Sequence, residues 1–304
     1  MTQFYSNGKL LLTAEYLVID GALALALPSK YGQDLSVKPI EEPLCIWESF
    51  DADKNMWFKA EFELPALSLN SAKSSIEKAT FLKLQSILLE ARKLNSNFLS
   101  TNQGYHIQTR LSFPRLWGLG TSSTLINNVA QWAKIDAFKL QLNTFGGSAY
   151  DIACAQNNKP VLYQLKLQKP IVKQISFEPI FKDQLYFVYL NKKQNSREGI
   201  EKYNLLKGNV GQPIQDITSI TKAIAFEQTL DGFEKLMIEH ENIISKLIKT
   251  TPIQESVFKD YFGQIKSLGA WGGDFILATG NNDTPVYFKN KGFKTVIPYR
   301  DIVL

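Results

Sequence analysis

The sequence predicts an α+β protein built as two domains with a shared cleft, and three observations carry that prediction. Strand-patterned segments dominate the opening, helical periodicity dominates the stretch after about residue 196, and three glycine clusters stand at Gly118 to Gly120, Gly146 to Gly147 and Gly269 to Gly273. A chain of 304 residues is long enough for a large core and for two domains.

In order, KLLLTAEYLVI reads as a strand followed by a tight acidic turn or another strand, and ALALALP as a strand closed by Pro28. YGQDLSVKP, LCIWESF and MWFKAEFEL continue the strand pattern, so a largely antiparallel sheet is expected to open the fold. From Ser75 to Asn95, Phe81, Leu84, Ile87, Leu88 and Ala91 fall at helical intervals and form one apolar stripe. GYHIQTRLSF returns to alternation, with His106 and Gln108 opposite Tyr105 and Ile107. The glycine turn PRLWGLGTSST then leads into a helix, TSSTLINNVAQWAKI.

The segment after TFGGSAYDIACAQ's glycines fits a short strand or a helix equally. VLYQLKL and LYFVYLN read as strands. SREGIEKYNLL and the run from ITSITKAI to IISKLIKT read as successive helices, and ESVFKDYFGQIKSL as one more. FILAT, PVYFKN and FKTVIPY complete the chain as strands. The domain boundary falls between Gln168 and Phe181, giving domains 1–172 and 173–304.

Composition narrows the function classes. The balance of 34 basic and 29 acidic side chains leaves a formal charge of +5, which favours an anionic ligand. Basic stretches are short, as at Lys192, Lys193 and Arg197, and lack the interleaved aromatics of a nucleic-acid groove. Cys45 and Cys154 are far apart without metal-ligand spacing, and His106 and His240 are the only histidines, so neither a disulfide framework nor a zinc site is indicated. Glu15 and Asp20 interrupt the apolar opening, which argues against a secretory leader, and no window has the length and polarity of a membrane span. The expectation is a soluble, cytoplasmic protein.

The loop Pro114 to Thr124 has chemical content. Gly118 and Gly120 let backbone approach a ligand, and the helix that follows would aim its free amides at an anion. Ser122 or Ser123 can donate to a phosphate or meet a hydrated magnesium ion, while the same hydroxyls can simply cap the helix. Asp151, after Gly146 and Gly147, can be presented into a cleft or serve as a turn residue.

Taken together, SNGKLLLTAEYLVIDG, PRLWGLGTSST and KSLGAWGGDFIL resemble, in that order, the three motifs of the GHMP small-molecule kinases, most closely the mevalonate and phosphomevalonate kinase branch. The resemblance spans nearly the whole chain. It implies an amino-terminal domain like ribosomal protein S5 domain 2 and a ferredoxin-like carboxy-terminal domain, with ATP and Mg2+ as cofactors. It puts Gly118, Leu119, Gly120, Thr121, Ser122 and Ser123 at the nucleotide phosphates, with Ser122 also on the metal. Asp151 and Lys9 take the catalytic positions, the carboxylate on the acceptor hydroxyl and the ammonium on the transferred phosphate. Glu15, Tyr16, Ser196, Arg197, Gly269, Ala270, Gly272 and Gly273 are carried over to the acceptor pocket.

Two departures bear on this. Trp271 replaces a small residue of the third motif, where it either covers a base or packs in the core. Ser122 and Asp151 are only 29 positions apart, and the interval lacks the Glu that relatives use for magnesium; its acid, Asp136, equally fits the polar side of the helix containing Trp132 and Ile135. The resemblance implies phosphoryl transfer from ATP to a small acidic metabolite, mevalonate or phosphomevalonate. Diphosphomevalonate decarboxylation and a catalytically silent nucleotide-binding or regulatory role are the alternatives. Partners are the nucleotide and the metabolite, with a homodimer allowed and neither nucleic acid nor membrane.

Overall fold

Strict alternation along Leu44–Phe50 buries Cys45, Trp47 and Ser49 while their neighbours stay half-exposed, so this segment can only be a strand with one face on a core. In the computed structural model, which describes residues 1–69 and 75–304, such strands belong to the first of two compact units. That unit comprises Met1–Gly8, Tyr31–Arg115 and Leu119–Gln156; the second comprises Lys9–Lys30, Leu116–Gly118 and Asn157–Leu304.

The first unit takes the opening of β1 (Thr2–Leu11) and the latter part of β2 (Ala24–Ile40). It continues with β3 (Leu44–Phe50), β4 (Met56–Glu63), β5 (Ser68–Leu69), α1 (Ser75–Leu94), β6 (Gly104–Leu111), α2 (Thr121–Ala133), α3 (Ala137–Thr144) and α4 (Tyr150–Gln156). Its strands lie in the order β5-β4-β3-β6-β2, antiparallel except for the parallel β3–β6 pair. Helices pack on the sheet through one apolar cluster that includes Trp47, Phe62, Ile107, Ile126 and Leu140. The expected α1 stripe is buried within it: Phe81, Leu84, Ile87, Leu88 and Ala91 all lie in this core, and Phe81 stacks on Phe62 with centroids 4.4 Å apart. Each such large side chain stabilises the unit by about 1.5–3 kcal/mol.

His106 and Gln108 share the face opposite buried Ile107, where both bond Glu48 Oε2 at 3.0 Å. Asp136 is not on a helix face beside Trp132. It is the N-cap of α3, its Oδ1 accepting from Phe138 N and Lys139 N, because Lys134 turns left-handed and ends α2 first.

In the second unit, Ala24–Ala26 of β2 pair with β7 (Val161–Lys166), which forms a hairpin with β8 (Lys169–Gln174). Pro28 does not close the strand as expected. It falls between the residues that pair with β7 and those from Gln33 onward that pair with β6, so its missing N–H costs neither ladder a bond.

The rest of this unit runs β9 (Leu185–Tyr189), α5 (Ser196–Leu206), α6 (Gly211–Ile224), α7 (Leu230–Ile248), α8 (Ile253–Ser256), β10 (Ile265–Ser267), β11 (Phe275–Thr279), α9 (Thr284–Asn290), β12 (Val296–Pro298) and α10 (Tyr299–Ile302). A second antiparallel sheet has the order β10-β11-β9-β12. Val188, Phe258, Tyr261, Ile276 and Phe288 share a core there.

Two expectations are corrected in this unit. ESVFKDYFGQIKSL is not one helix: a single turn, α8, is followed by irregular chain and then β10. The irregular chain seats Phe258 and Tyr261 in the core, and it then passes so close to Thr279 O that a Cβ at Gly263 would lie 2.1 Å from it. PVYFKN is a helix rather than a strand. Asp283 stands at its N-cap, a proline opens its first turn, and the buried residues Thr284 and Phe288 are four apart, which is helical spacing.

Candidate active site

The loop after β6 ends in the first unit at Gly120, whose φ of 93° is left-handed and which caps α2 with no side-chain hydrogen bond. The first amides of a thirteen-residue helix therefore face outward without a side-chain acceptor, the arrangement that favours an anion. The four hydroxyls divide by task. Ser123 is buried and its Oγ donates to Gly120 O at 2.9 Å; Thr124 is buried and its Oγ1 donates to Gln33 Oε1 at 2.7 Å. Ser122 is exposed at the start of the helix, Thr121 is half-buried, and Leu119 plugs the core.

A buried polar network ties this helix to the one that carries Asp151. Asn127 Nδ2 donates to Ser6 Oγ at 2.8 Å and to Ala155 O at 3.4 Å, and Asn127 Oδ1 accepts from Gln156 Nε2 at 3.0 Å. Asn128 accepts from Ser6 Oγ at 2.7 Å and donates to Gln33 O at 2.9 Å. Since Ala155 and Gln156 end α4, the network joins β1, β2, α2 and α4 within one unit. Asp151 lies in the first turn of α4, partly buried, with Oδ1 accepting Ile152 N at 3.2 Å. The chain reaches that turn through three left-handed residues, Gly146, Gly147 and Ala149, the last a non-glycine at φ 60°.

The second unit assembles the other two motifs. Gly118 is at φ 68°, and a Cβ there would sit 2.3 Å from Asp274 Cγ, so only glycine allows the loop to touch that carboxylate. Asp274 Oδ1 accepts Gln194 N at 3.1 Å. Burial raises its pKa, opposed by the ammonium of Lys9, the Gln194 bond and Lys193. Gly273 is equally constrained, a Cβ there meeting Lys192 O at 2.7 Å. Gly269, Trp271 and Gly272 are all left-handed; Ala270 and Trp271 are buried, and Trp271 Nε1 has no hydrogen-bond partner among the described residues.

Glu15 is wholly buried and bonded to the Nζ of Lys266, itself 0% exposed. Around this pair lie His240 and Glu241, also buried, with Lys266 Nζ 4.0 Å from Glu241 Oε1 and donating to Ser267 O at 2.9 Å. Ala14 N donates to His240 Nε2 at 2.9 Å, so that nitrogen carries no proton. The 3.1 Å approach of Glu15 Oε2 to it is then a hydrogen bond only when the carboxyl holds a proton. The electrostatics agree: burial pushes Glu15 up to about 7 and Glu241 up to about 8, and holds His240 well below its usual range.

Tyr16 stacks on Tyr203 with centroids 5.4 Å apart and packs against Gly199, its hydroxyl pushed up to about 12 by burial and by Glu15. Ser196 and Arg197 are exposed in the first turn of α5, where Asn195 accepts Arg197 N at 3.1 Å.

The first unit thus holds Leu119, Gly120, Thr121, Ser122, Ser123 and Asp151 together. The second holds Lys9, Glu15, Tyr16, Gly118, Ser196, Arg197, Gly269, Ala270, Gly272 and Gly273. Sequence reasoning gave Lys266, His240, Glu241 and Asp274 no part in a site. In the sequence Lys266 shows only as the lysine immediately before SLGAWGGD; that it lies on a strand whose residues are all buried is seen only in the structure.

No protein-family model matches the sequence, and no curated protein matches it in sequence. Solved structures do match in fold. A phosphomevalonate kinase of Streptococcus pneumoniae, in complex with phosphomevalonate and AMPPNP, superposes with a TM-score of 0.69 at 15% identity, covering 100% of this chain and 98% of that one. A mevalonate kinase gives 0.68 at 18% identity with 97% of each chain covered. Galactokinase of Lactococcus lactis, complexed with galactose, gives 0.67 at 12% identity over 97% and 93%. The chain therefore has, over nearly its whole length, the fold of the GHMP small-molecule kinases.

Proposed function

We propose that the protein transfers the γ-phosphoryl group of ATP to a small acidic metabolite, with mevalonate or phosphomevalonate as acceptor. The observation that carries this reading is the phosphate loop. Two left-handed glycines lead into a helix with no side-chain cap, and one exposed hydroxyl, Ser122, remains at its start once Ser123 is committed to Gly120 O. The AMPPNP held by the pneumococcal enzyme supports ATP as the donor. On this reading residues 1–172 form an S5 domain 2-like half and 173–304 a ferredoxin-like half.

The α2 amides bind and orient the phosphates, and Ser122 donates to them. Asp151 orients the acceptor hydroxyl and takes its proton, while the Lys9 ammonium stabilises charge developing on the transferred group. Glu15, Tyr16, Ser196, Arg197, Gly269, Ala270, Gly272 and Gly273 shape the acceptor side, Arg197 suiting a phosphate or carboxylate by its fork geometry.

Among the described residues no three His, Cys, Asp or Glu side chains gather as metal ligands. That donor set fits a magnesium ion that arrives on the nucleotide and takes one protein hydroxyl, from Ser122, rather than one caged by the protein. When bound, the ion would neutralise phosphate charge.

The test offers magnesium ATP with mevalonate, phosphomevalonate, diphosphomevalonate, homoserine and galactose in turn, and reads ADP together with product identity. Phosphorylation of mevalonate or phosphomevalonate is expected, with Asp151→Asn lowering kcat at least about 100-fold. Release of carbon dioxide from diphosphomevalonate would favour decarboxylation instead. Nucleotide binding with no transfer to any acceptor would favour a regulatory role.

A further inference from the structure

A helix with most of its side chains in solvent needs something to seat it, and α5, eleven residues long, has a single buried side chain, Tyr203. Ser196, Arg197, Glu201 and Lys202 are exposed along it, and it packs beside α7. The Tyr203 hydroxyl donates to Asp20 Oδ2, at the end of the helical turn Leu17–Asp20 that follows Glu15 and Tyr16 of the first motif. Lys207, which caps the end of α5, donates to the same carboxylate. Its Nζ lies 2.8 Å from Asp20 Oδ1 and 3.0 Å from Oδ2, and 5.1 Å from the centre of the Tyr203 ring. Burial and the Asp20 carboxylate hold the phenol above its ordinary range, so it stays a donor. On the facing side the Tyr16 ring stacks on Tyr203, centroids 5.4 Å apart and planes 25° apart. Gly199, one turn before Tyr203, lets the helix come down on Tyr16: a Cβ there would lie 3.0 Å from the Tyr16 hydroxyl. Glycine is a poorer helix former than alanine, and Tyr16 takes a positive φ of 64°, which a bulky residue adopts at a cost. Both sides of this contact therefore depart from what their local structure favours, and the contact is what the departures make possible.

We propose that Asp20, Tyr203 and Lys207 form a clasp that seats α5 on the Tyr16 turn, with Asp20 and Tyr203 acting as positioning residues for Ser196 and Arg197 at the other end of the helix. The clasp stands on the contacts themselves. Its part in acceptor binding rests on the kinase reading, in which Ser196 and Arg197 meet the acidic acceptor. Those two residues ride on the helix about two turns, roughly 10 Å, from the Tyr203 anchor, so the seating of α5 sets where they stand.

The test uses the full chain and two variants. Tyr203→Phe keeps the ring stack and removes the hydroxyl bond; Asp20→Ala removes the carboxylate from the other side. In both, the α5 amides are expected to exchange hydrogen about 10-fold faster or more while those of α7 keep their rate, and trypsin is expected to cut sooner after Lys202. Asp20→Asn retains an acceptor for the Tyr203 hydroxyl and is expected to recover most of the protection. In the kinetic arm, Tyr203→Phe raises the KM for the acceptor about 10-fold with the KM for ATP little changed, and adding Asp20→Ala raises it no further. A contribution to folding alone would move the unfolding midpoint and leave the acceptor KM where it was. Unchanged α5 exchange in Tyr203→Phe and Asp20→Ala overturns the clasp, and faster exchange with an unchanged acceptor KM overturns the positioning role. Transfer to none of the acceptors by the wild-type chain overturns the kinase reading and the positioning role with it, while the exchange rates still decide whether the clasp seats α5.

Discussion

Two adjacent serines at the start of α2 have opposite fates. Ser123 is buried on Gly120 O and Ser122 is exposed, so Ser123→Ala is expected to cost about 1 kcal/mol of stability, read by denaturant unfolding. Ser122→Ala is expected to leave the unfolding midpoint unchanged and to lower kcat at least about 10-fold. The residue types at these positions were legible in the sequence, but which of the two hydroxyls was spent was not, because that depends on the helix register and on Gly120 being the cap. Glycine at 118 and 273 was legible too as a need for close approach. The carboxylate and the carbonyl they make room for come from residues 274 and 192, and only folding brings the first of these to Gly118.

Elements were read best where their pattern was long. The α1 stripe and the alternation in β3, β4 and β6 have enough turns or repeats for the period to be unambiguous. Short apolar segments failed: α9 has seven residues and α8 four, and in such lengths a neighbour decides. Asp136 shows the same dependence, becoming a cap because the chain turns at Lys134. Asp136→Ala is expected to destabilise the protein by about 1 kcal/mol and to leave the magnesium dependence of activity unaltered, whereas a metal ligand would raise the magnesium requirement. Asn127, which joins α2 to α4, has more at stake. Asn127→Leu strands the Ser6, Ala155 and Gln156 groups and is expected to lower stability by roughly 2 kcal/mol or more, with Gln156 and Ser6 losing hydrogen-exchange protection together.

At the scale of the whole chain, the buried charges of the second unit set a pH dependence. Glu15 and Glu241 hold protons in the folded state that they release when unfolded, since burial raises both from the ordinary carboxylate value of 4.5 to about 7 and about 8. Their contribution to stability is full below pH 4.5 and is lost as pH rises through 7 to 8. His240 acts oppositely: its depressed value contributes stability above 6.5 and loses it as pH falls below. The carboxyls and the imidazole thus act in opposite directions, the carboxyls favouring the acid side. Glu241→Gln copies the protonated acid and is expected to raise Tm by roughly 3 °C or more at pH 8.5 with little change at pH 5, measured by thermal unfolding across pH. No helix among the described residues is long and apolar enough to cross a membrane, and Cys45 and Cys154 are free and buried.

The sequence by itself determined what local order can encode: the mixed α+β class, the longer helices and strands, and the three glycine-bearing motifs, each a property of neighbours along the chain. Tertiary structure decided the partners. Lys266 bonds Glu15 across 251 positions, Asp274 lies against Gly118, and Asn127 fastens two helices. A side chain's charge state, exposure and hydrogen bonds depend on what surrounds it in space, and residues hundreds of positions apart supply those surroundings.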